Sequence, residues 1–306
     1  MRTDALKGIA IFMIVLCHAF GNSTRYLTPF GGIGVAIFLI CSGYGLAASY
    51  NKNALSNYWR KRIVSIWIPF LISALIYAVI SGCYASVMQL SVDALRLVSP
   101  GFPIGWYLHF LLGWYVAFWI ICLLVKKTDI RLLSIFICSL LLGGIYFVRG
   151  DGLRFEQTFS FFIGAMICWS GIQLCPNSKR ILTYFGIGIL VLAFKQTQFA
   201  RNSIDVYNLS DLIMKTTIAI SLVLMVCWLN EDQSELSKRI LKFFSLLGEY
   251  SYSLYLCHGY FLCIFAKVEL PNAYVLFFVV SLVTTFLFHS CVKIVQDRVL
   301  NLVGVK

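Results

Sequence analysis

Apolar residues along the chain come in long runs, broken by short polar stretches. A helix that crosses the hydrocarbon of a bilayer needs about 20 mostly apolar residues. Ten runs approach that length, at 5–21, 31–50, 63–83, 104–125, 131–148, 155–173, 180–195, 209–229, 244–266 and 272–292. The run at 180–195 is the shortest and closes on Lys195. The connections are short, so the pattern predicts a single all-α, polytopic transmembrane domain over residues 1–306 with about ten helices. No internal repeat stands out, which argues against an inverted-repeat transporter. The first run is not expected to be a cleaved signal, because it opens with Asp4 and Lys7, carries His18 and leads directly into the second run.

Composition agrees with this reading. Of 306 residues 60% are hydrophobic and 12% charged, whereas soluble domains carry about 25% charged residues. An ordinary cytosolic enzyme and a disordered chain are both excluded. The net charge of +12, from 25 Lys and Arg against 13 Asp and Glu, would suggest nucleic acid in a soluble protein. In a membrane protein, basic residues gather at the cytoplasmic helix ends and against anionic lipid. There is no compact basic tail or RNA-binding signature, so membrane lipids are expected as partners and nucleic acid is not. With a cytoplasmic N-terminus, 17 Lys and Arg fall on the inside and 7 on the outside, with Lys215 inside a run. The expectation is a multi-pass protein of the inner, cytoplasmic membrane with both termini in the cytoplasm. The eleven cysteines lie mostly in apolar runs and form no CxxC pair, so they read as small hydrophobic residues.

Ionisable groups inside spans are costly and mark functional candidates. On this topology His18, eleven residues and about 16 Å beyond Lys7, shares the outer leaflet with His109 and His258, while His289 lies toward the cytoplasmic end. A single membrane histidine often only hydrogen-bonds a neighbouring helix. Three at one depth suit a general base that takes a proton from a hydroxyl. Metal or haem is a minor reading, because neither HxxxH nor HExxH spacing occurs, and no metal is expected. Tyr58-Trp59-Arg60-Lys61-Arg62, followed by Trp67-Ile68-Pro69, is either a topology anchor or a phosphate site at a helix N-terminus, suited to coenzyme A. The glycines in Phe30-Gly31-Gly32-Ile33-Gly34 and Cys41-Ser42-Gly43-Tyr44-Gly45 allow close helix packing, or leave room for a cofactor arm.

Taken in order, these stretches resemble the acyltransferase-3 membrane proteins, which O-acylate carbohydrates and related envelope glycans. Asp4-Ala5-Leu6-Lys7-Gly8 with His18 is similar to the family's opening motif, with Lys7 where members usually carry Arg. Phe38-Leu39-Ile40-Cys41-Ser42-Gly43-Tyr44 is similar to its Ser-Gly-aromatic motif. Tyr58 to Arg62 with Trp67 and Pro69 resembles its basic patch, with Ser65 where a further Arg is common. Trp106-Tyr107-Leu108 resembles the entry to a middle span, with His109 near the place where larger members often have Glu. Gly248-Glu249-Tyr250-Ser251-Tyr252-Ser253-Leu254-Tyr255-Leu256-Cys257-His258 resembles the late Gly–Ser–Tyr–His motif.

The resemblance implies a transmembrane-only acetyl-CoA-dependent O-acetyltransferase, with acyl-CoA as cytoplasmic donor and a glycan or lipid-linked sugar as acceptor. It implies catalytic roles for His18, Lys7 and Asp4, with Asp4 and Lys7 organising the cytoplasmic end of their helix as an ion pair. Arg60, Lys61, Arg62, Ser42 and Tyr44 would hold the donor. His258, Tyr255, Ser253, Trp106 and His109 would meet the acceptor. Direct transfer and an acyl-His18 intermediate are both compatible with it. A transporter with a polar outer cavity and a non-catalytic scaffold are the rival classes, and a homo-oligomer is left open.

Overall fold

The computed structural model describes residues 1–20, 25–82, 86–171, 174, 176–232, 234–265 and 273–303. Positions 21, 83, 172, 173, 266 and 272 of the predicted runs lie outside the described residues. Twelve helices of two turns or more carry the architecture among the described residues. They are α1 Thr3–Phe20, α2 Thr28–Asn53, α3 Tyr58–Ser81, α4 Val87–Leu95, α5 Trp106–Leu124 and α6 Thr128–Val148. Then follow α7 Ser160–Trp169, α8 Ser178–Lys195, α9 Ile204–Glu231, α10 Glu235–Glu249, α11 Ser251–Phe265 and α12 Ala273–Val303. No strand occurs among the described residues. Helix starts follow local chemistry. Pro29 sits in the first turn of α2, where its missing N–H costs nothing. The Asn177 side chain accepts from Arg180 N at 2.8 Å to open α8, and Ser203 Oγ accepts from Val206 N at 3.4 Å to open α9.

Seven of these helices are long and apolar enough to cross a bilayer. They coincide with the predicted runs at 5–21, 31–50, 63–83, 104–125, 131–148, 209–229 and 272–292. Many of their apolar side chains face outward: Val79 is 85% exposed, Val148 86% and Leu287 69%. That is the surface of a protein whose solvent is lipid, and the chain is an all-α polytopic membrane protein.

The other three runs differ. The run at 155–173 gives only the ten-residue α7, because Glu156 and Gln157 are turned inward before the helix starts. The run at 180–195 forms α8, which has Lys179 and Arg180 in its first turn and Lys195 at its end. The run at 244–266 is not one helix: α10 stops at Glu249 and α11 begins at Ser251. Helix α10 alternates Lys238, Arg239 and Lys242 with Leu236, Phe243 and Leu246, all exposed. It has the two-faced pattern of a helix lying along a surface.

The helices cluster into two compact units. The first contains Met1–Cys17, Gly21–Ala54 and Gly113–Glu249, and the second His18–Phe20, Leu55–Leu112 and Tyr250–Lys306. In the first unit, Trp114 of α5 stacks on Phe161 of α7 with centroids 4.8 Å apart and planes at 7°. Two glycine pairs bring helices together backbone to backbone. A Cβ on Gly43 of α2 would overlap the Phe161 carbonyl, and one on Gly164 of α7 the Ile40 carbonyl. On α1 and α10, a Cβ on Gly8 would overlap the Phe244 carbonyl and one on Gly248 the Asp4 carbonyl. Small residues at such crossings are what permits the approach. The core of the second unit is aromatic, with Phe102 in ring contact with Phe70, Tyr255 and Tyr260 at 5.8, 5.5 and 5.1 Å.

Candidate functional site

The second unit holds a pair of imidazoles. His18 Nδ1 lies 3.1 Å from His258 Nε2, and the rings sit 5.2 Å apart at 19°. His258, on α11, is fully buried, while His18 is partly exposed. An N···N hydrogen bond needs one donor and one acceptor, so both rings cannot be charged at once. The tautomers then follow from bonding logic. His258 Nδ1 lies 2.7 Å from the Leu254 carbonyl, which can only accept, so this nitrogen carries the proton. In the neutral ring its Nε2 is bare and accepts from His18 Nδ1–H. That leaves the lone pair of His18 on Nε2, so the arrangement holds one imidazole as a base with its other nitrogen anchored.

The remaining residues of the late motif build the support for this pair. Tyr255, 3% exposed, donates its hydroxyl to Ile104 O at 2.6 Å and sets its ring 5.7 Å from His258. Ser253 Oγ is 3.1 Å from His289 Nδ1, so His289 is drawn into the same unit through a serine. Both hydroxyls are therefore engaged inside the protein. Trp106 opens α5, with its ring 6.4 Å from that of Tyr107. His109 is exposed and its Nε2 bonds Arg96 O at 2.8 Å. Of the three histidines expected at one depth, the structure joins two.

The basic patch opens α3. Arg60 is exposed and Lys61 partly so. Arg62 turns back, donating to Tyr58 O at 3.2 Å with its guanidinium 4.3 Å from the centre of the Tyr58 ring. Directly after the patch, Ile63–Trp67 widens into a π-helix, in which Ile68 N donates to Ile63 O. In that i→i−5 register the next donor would be residue 69, a proline without N–H. The Val64 carbonyl receives Gln296 Nε2 instead, at 2.9 Å, and Ile66 O receives the Tyr252 hydroxyl at 3.0 Å. Helices α11 and α12 thus fix the direction in which the patch is presented.

Asp4, Lys7, Ser42 and Tyr44 belong to the first unit. The expected Asp4–Lys7 ion pair does not form. Asp4 is taken by Arg2, with Nη2 to Oδ2 at 2.9 Å and Nε to Oδ1 at 3.5 Å, because the guanidinium fork spans both carboxylate oxygens. Arg2 Nη2 also reaches Ser245 Oγ at 2.9 Å. Ser42 and Tyr44 flank Gly43 on α2, and that glycine serves close packing.

One constellation was missed in the sequence. Lys195 pairs with Asp211, which lies 3.7 Å from Lys215, and Lys215 pairs with Glu156. Gln157 Nε2 continues the chain, donating to Glu156 Oε1 at 3.3 Å and to Gly32 O at 3.0 Å. All five residues are buried, and the absence of a side chain on Gly32 makes room for the Lys215 stem. The signal was present as Asp211 and Lys215, spaced i,i+4 inside one apolar run. Among the described residues no group of three or more His, Cys, Asp or Glu side chains is arranged to hold a metal ion.

The family model for an acyltransferase domain, that of the acyltransferase-3 proteins, matches residues 2–290. No curated relative and no solved structure matches the chain.

Proposed function

Because the chain belongs to the acyltransferase-3 family and is a membrane acyltransferase, we propose that it carries an acetyl or other short acyl group from cytoplasmic acyl-CoA to a hydroxyl of an envelope or exported glycan. Its place would be the inner membrane, in keeping with the bias of Lys and Arg. The observation that carries the reading is the 3.1 Å contact between His18 and His258.

In the reaction, His18 Nε2 takes the proton of the acceptor hydroxyl as its oxygen attacks the thioester carbonyl. The C–S bond of the tetrahedral adduct breaks, and the proton passes from His18 to the departing thiolate, giving ester and free thiol. His258 acts through His18. Its bare Nε2 holds the His18 Nδ1–H and stabilises the imidazolium as it forms, while Leu254 O fixes the His258 tautomer. Tyr255 and Ser253 hold the frame around His258, and Trp106 and His109 stand on the acceptor side. Arg60 and Lys61 take donor phosphates, with Arg62 ordering the patch through Tyr58. In the two-step variant Nε2 is itself acylated before the acceptor attacks.

The test is glycan mass spectrometry with wild-type and His18→Ala protein at equal expression. The variant should lose the acyl increment on its glycan, and wild-type levels of acylation in His18→Ala would remove the base assignment. Single turnover with labelled donor and no acceptor separates the two routes, since only the stepwise one leaves label on the protein. A transporter would show no affinity for acetyl-CoA in titration calorimetry.

A further inference from the structure

One cavity of the first unit is not used by the chemistry above. It measures about 840 Å³ and lies among the first two turns of α1, the end of α9 and the length of α10. That volume falls in the range of small-molecule sites, roughly 300–1,000 Å³. Its walls mix four cations, Arg2, Lys7, Lys238 and Lys242, with three carboxylates, Asp4, Asp232 and Glu249. Which charges are already compensated decides what the cavity attracts.

Asp4 is closed on Arg2. Asp232 accepts from the hydroxyls of Ser237 at 2.6 Å and Ser234 at 2.7 Å and from Ser234 N at 3.2 Å, and these bonds hold its carboxyl below the usual range. It is spent on the turn between α9 and α10. Lys238 lies 3.0 Å from Glu235 on the exposed face of α10. Lys7 and Lys242 form no ion pair among the described residues, yet both line the cavity. The glycine contact between α1 and α10 places them there, because Gly8 and Gly248 let the two backbones touch. Leu229, Leu241 and Leu246 supply apolar wall beside the cations.

Two ammonium groups that form no ion pair among the described residues, next to an apolar wall, suit a ligand with a dense anionic end and a less polar body. We propose that this cavity is a binding site for a phosphate ester, whose phosphate is held by Lys7 and Lys242. Both ammonium groups act as point charges with several donors, a mode that serves phosphate well. The distribution of Lys and Arg puts this end in the cytoplasm. Two sources of that chemistry meet it there, a soluble nucleotide and an anionic lipid headgroup. The site does not require the imidazole chemistry, so the two ideas fail separately.

The test uses the purified full chain in detergent and two probes, adenosine 3′,5′-bisphosphate and a short-chain phosphatidylglycerol. Lys242 is exposed, so Lys242→Ala is expected to fold, which thermal unfolding checks. Loss of one charge-assisted contact should weaken binding by about tenfold or more, Lys242→Arg should restore most of it, and His18→Ala should bind like wild type. Binding of the bisphosphate with this pattern assigns the cavity to a nucleotide head, and binding of the lipid alone assigns it to a headgroup. Equal affinity of wild type, Lys242→Ala and a Lys7→Ala, Lys242→Ala double variant for both probes would overturn the proposal, as would absence of binding by either.

Discussion

His18 Nδ1 and His258 Nε2 meet at 3.1 Å, and the 2.7 Å bond from His258 Nδ1 to Leu254 O determines which nitrogen of His18 keeps its lone pair. If that relay matters, His258 needs only to offer an acceptor. His258→Gln, whose amide oxygen reaches toward His18, should keep a substantial share of the transfer rate. His258→Ala should lose about 10²-fold or more, within the range ascribed to acid–base groups. The loss should fall on kcat with the KM for the donor little changed, because His258 is fully buried and acts through His18. Equal rates in the two variants would leave His258 as a packing residue.

A second prediction concerns Gly8 and Gly248. A methyl group at either would strike a carbonyl of the facing helix, so Gly248→Ala should destabilise the first unit by about 1–3 kcal/mol. Gly144 of α6 and Gly186 of α8 have nothing within 4 Å of an added Cβ. Alanine there should be neutral or stabilising by up to about 1 kcal/mol, through helix propensity. Thermal unfolding in one detergent compares all four variants, and opposite signs within the set are the expected outcome. A matching loss at Gly144 or Gly186 would contradict the close-approach account.

The same residues show what the sequence could disclose. Run length and the scarcity of charge identify the membrane class, because lipid imposes a minimum helix length and forbids open backbone. His18 and His258 stood out as costly groups in apolar runs. Their pairing did not, because it depends on two helices 240 positions apart in the chain. The break at Tyr250 was hidden because apolar stretches lie on both sides of the short segment Gly248–Ser253, and only the distribution of Lys238, Arg239 and Lys242 around α10 separates a surface helix from a span. Asp4 and Lys7 have the i,i+3 spacing of an ion pair, but only the fold shows that the Arg2 guanidinium reaches the same carboxylate. Hydropathy averages concealed Asp211 beside Lys215, since two opposite charges hardly alter a window of apolar neighbours.

That buried chain of charges gives a third prediction. Lys215 stands between Glu156 and Asp211, and removing it leaves Glu156 uncompensated away from water while Asp211 keeps Lys195. Lys215→Met should therefore cost about 3–5 kcal/mol. Combining it with Glu156→Gln should recover much of that loss, because one stranded charge is then neutral. Unfolding midpoints of the two single variants and the double variant form the cycle. Strict additivity would mean that the pair is not coupled.

The last prediction tests how the basic patch is held. Val64 O has no backbone donor in the π-helical register because residue 69 is proline, and Gln296 Nε2 fills that place at 2.9 Å. Gln296→Ala should then cost about 0.5–1.5 kcal/mol, the net worth of a partly buried hydrogen bond. In a Pro69→Ala background the restored N–H can bond a carbonyl of the preceding turn, so the cost of Gln296→Ala should shrink. The two substitutions would be less than additive, as expected for residues that share a partner. The readout beyond stability is the salt dependence of acyl-CoA affinity. If Arg60 and Lys61 meet donor phosphates from a fixed direction, Gln296→Ala should weaken affinity with a smaller fall on added salt, and Pro69→Ala should return part of it. An affinity indifferent to Gln296, and to Arg60→Ala with Lys61→Ala, would leave the patch as a topology anchor and the π-helix as a device of packing alone.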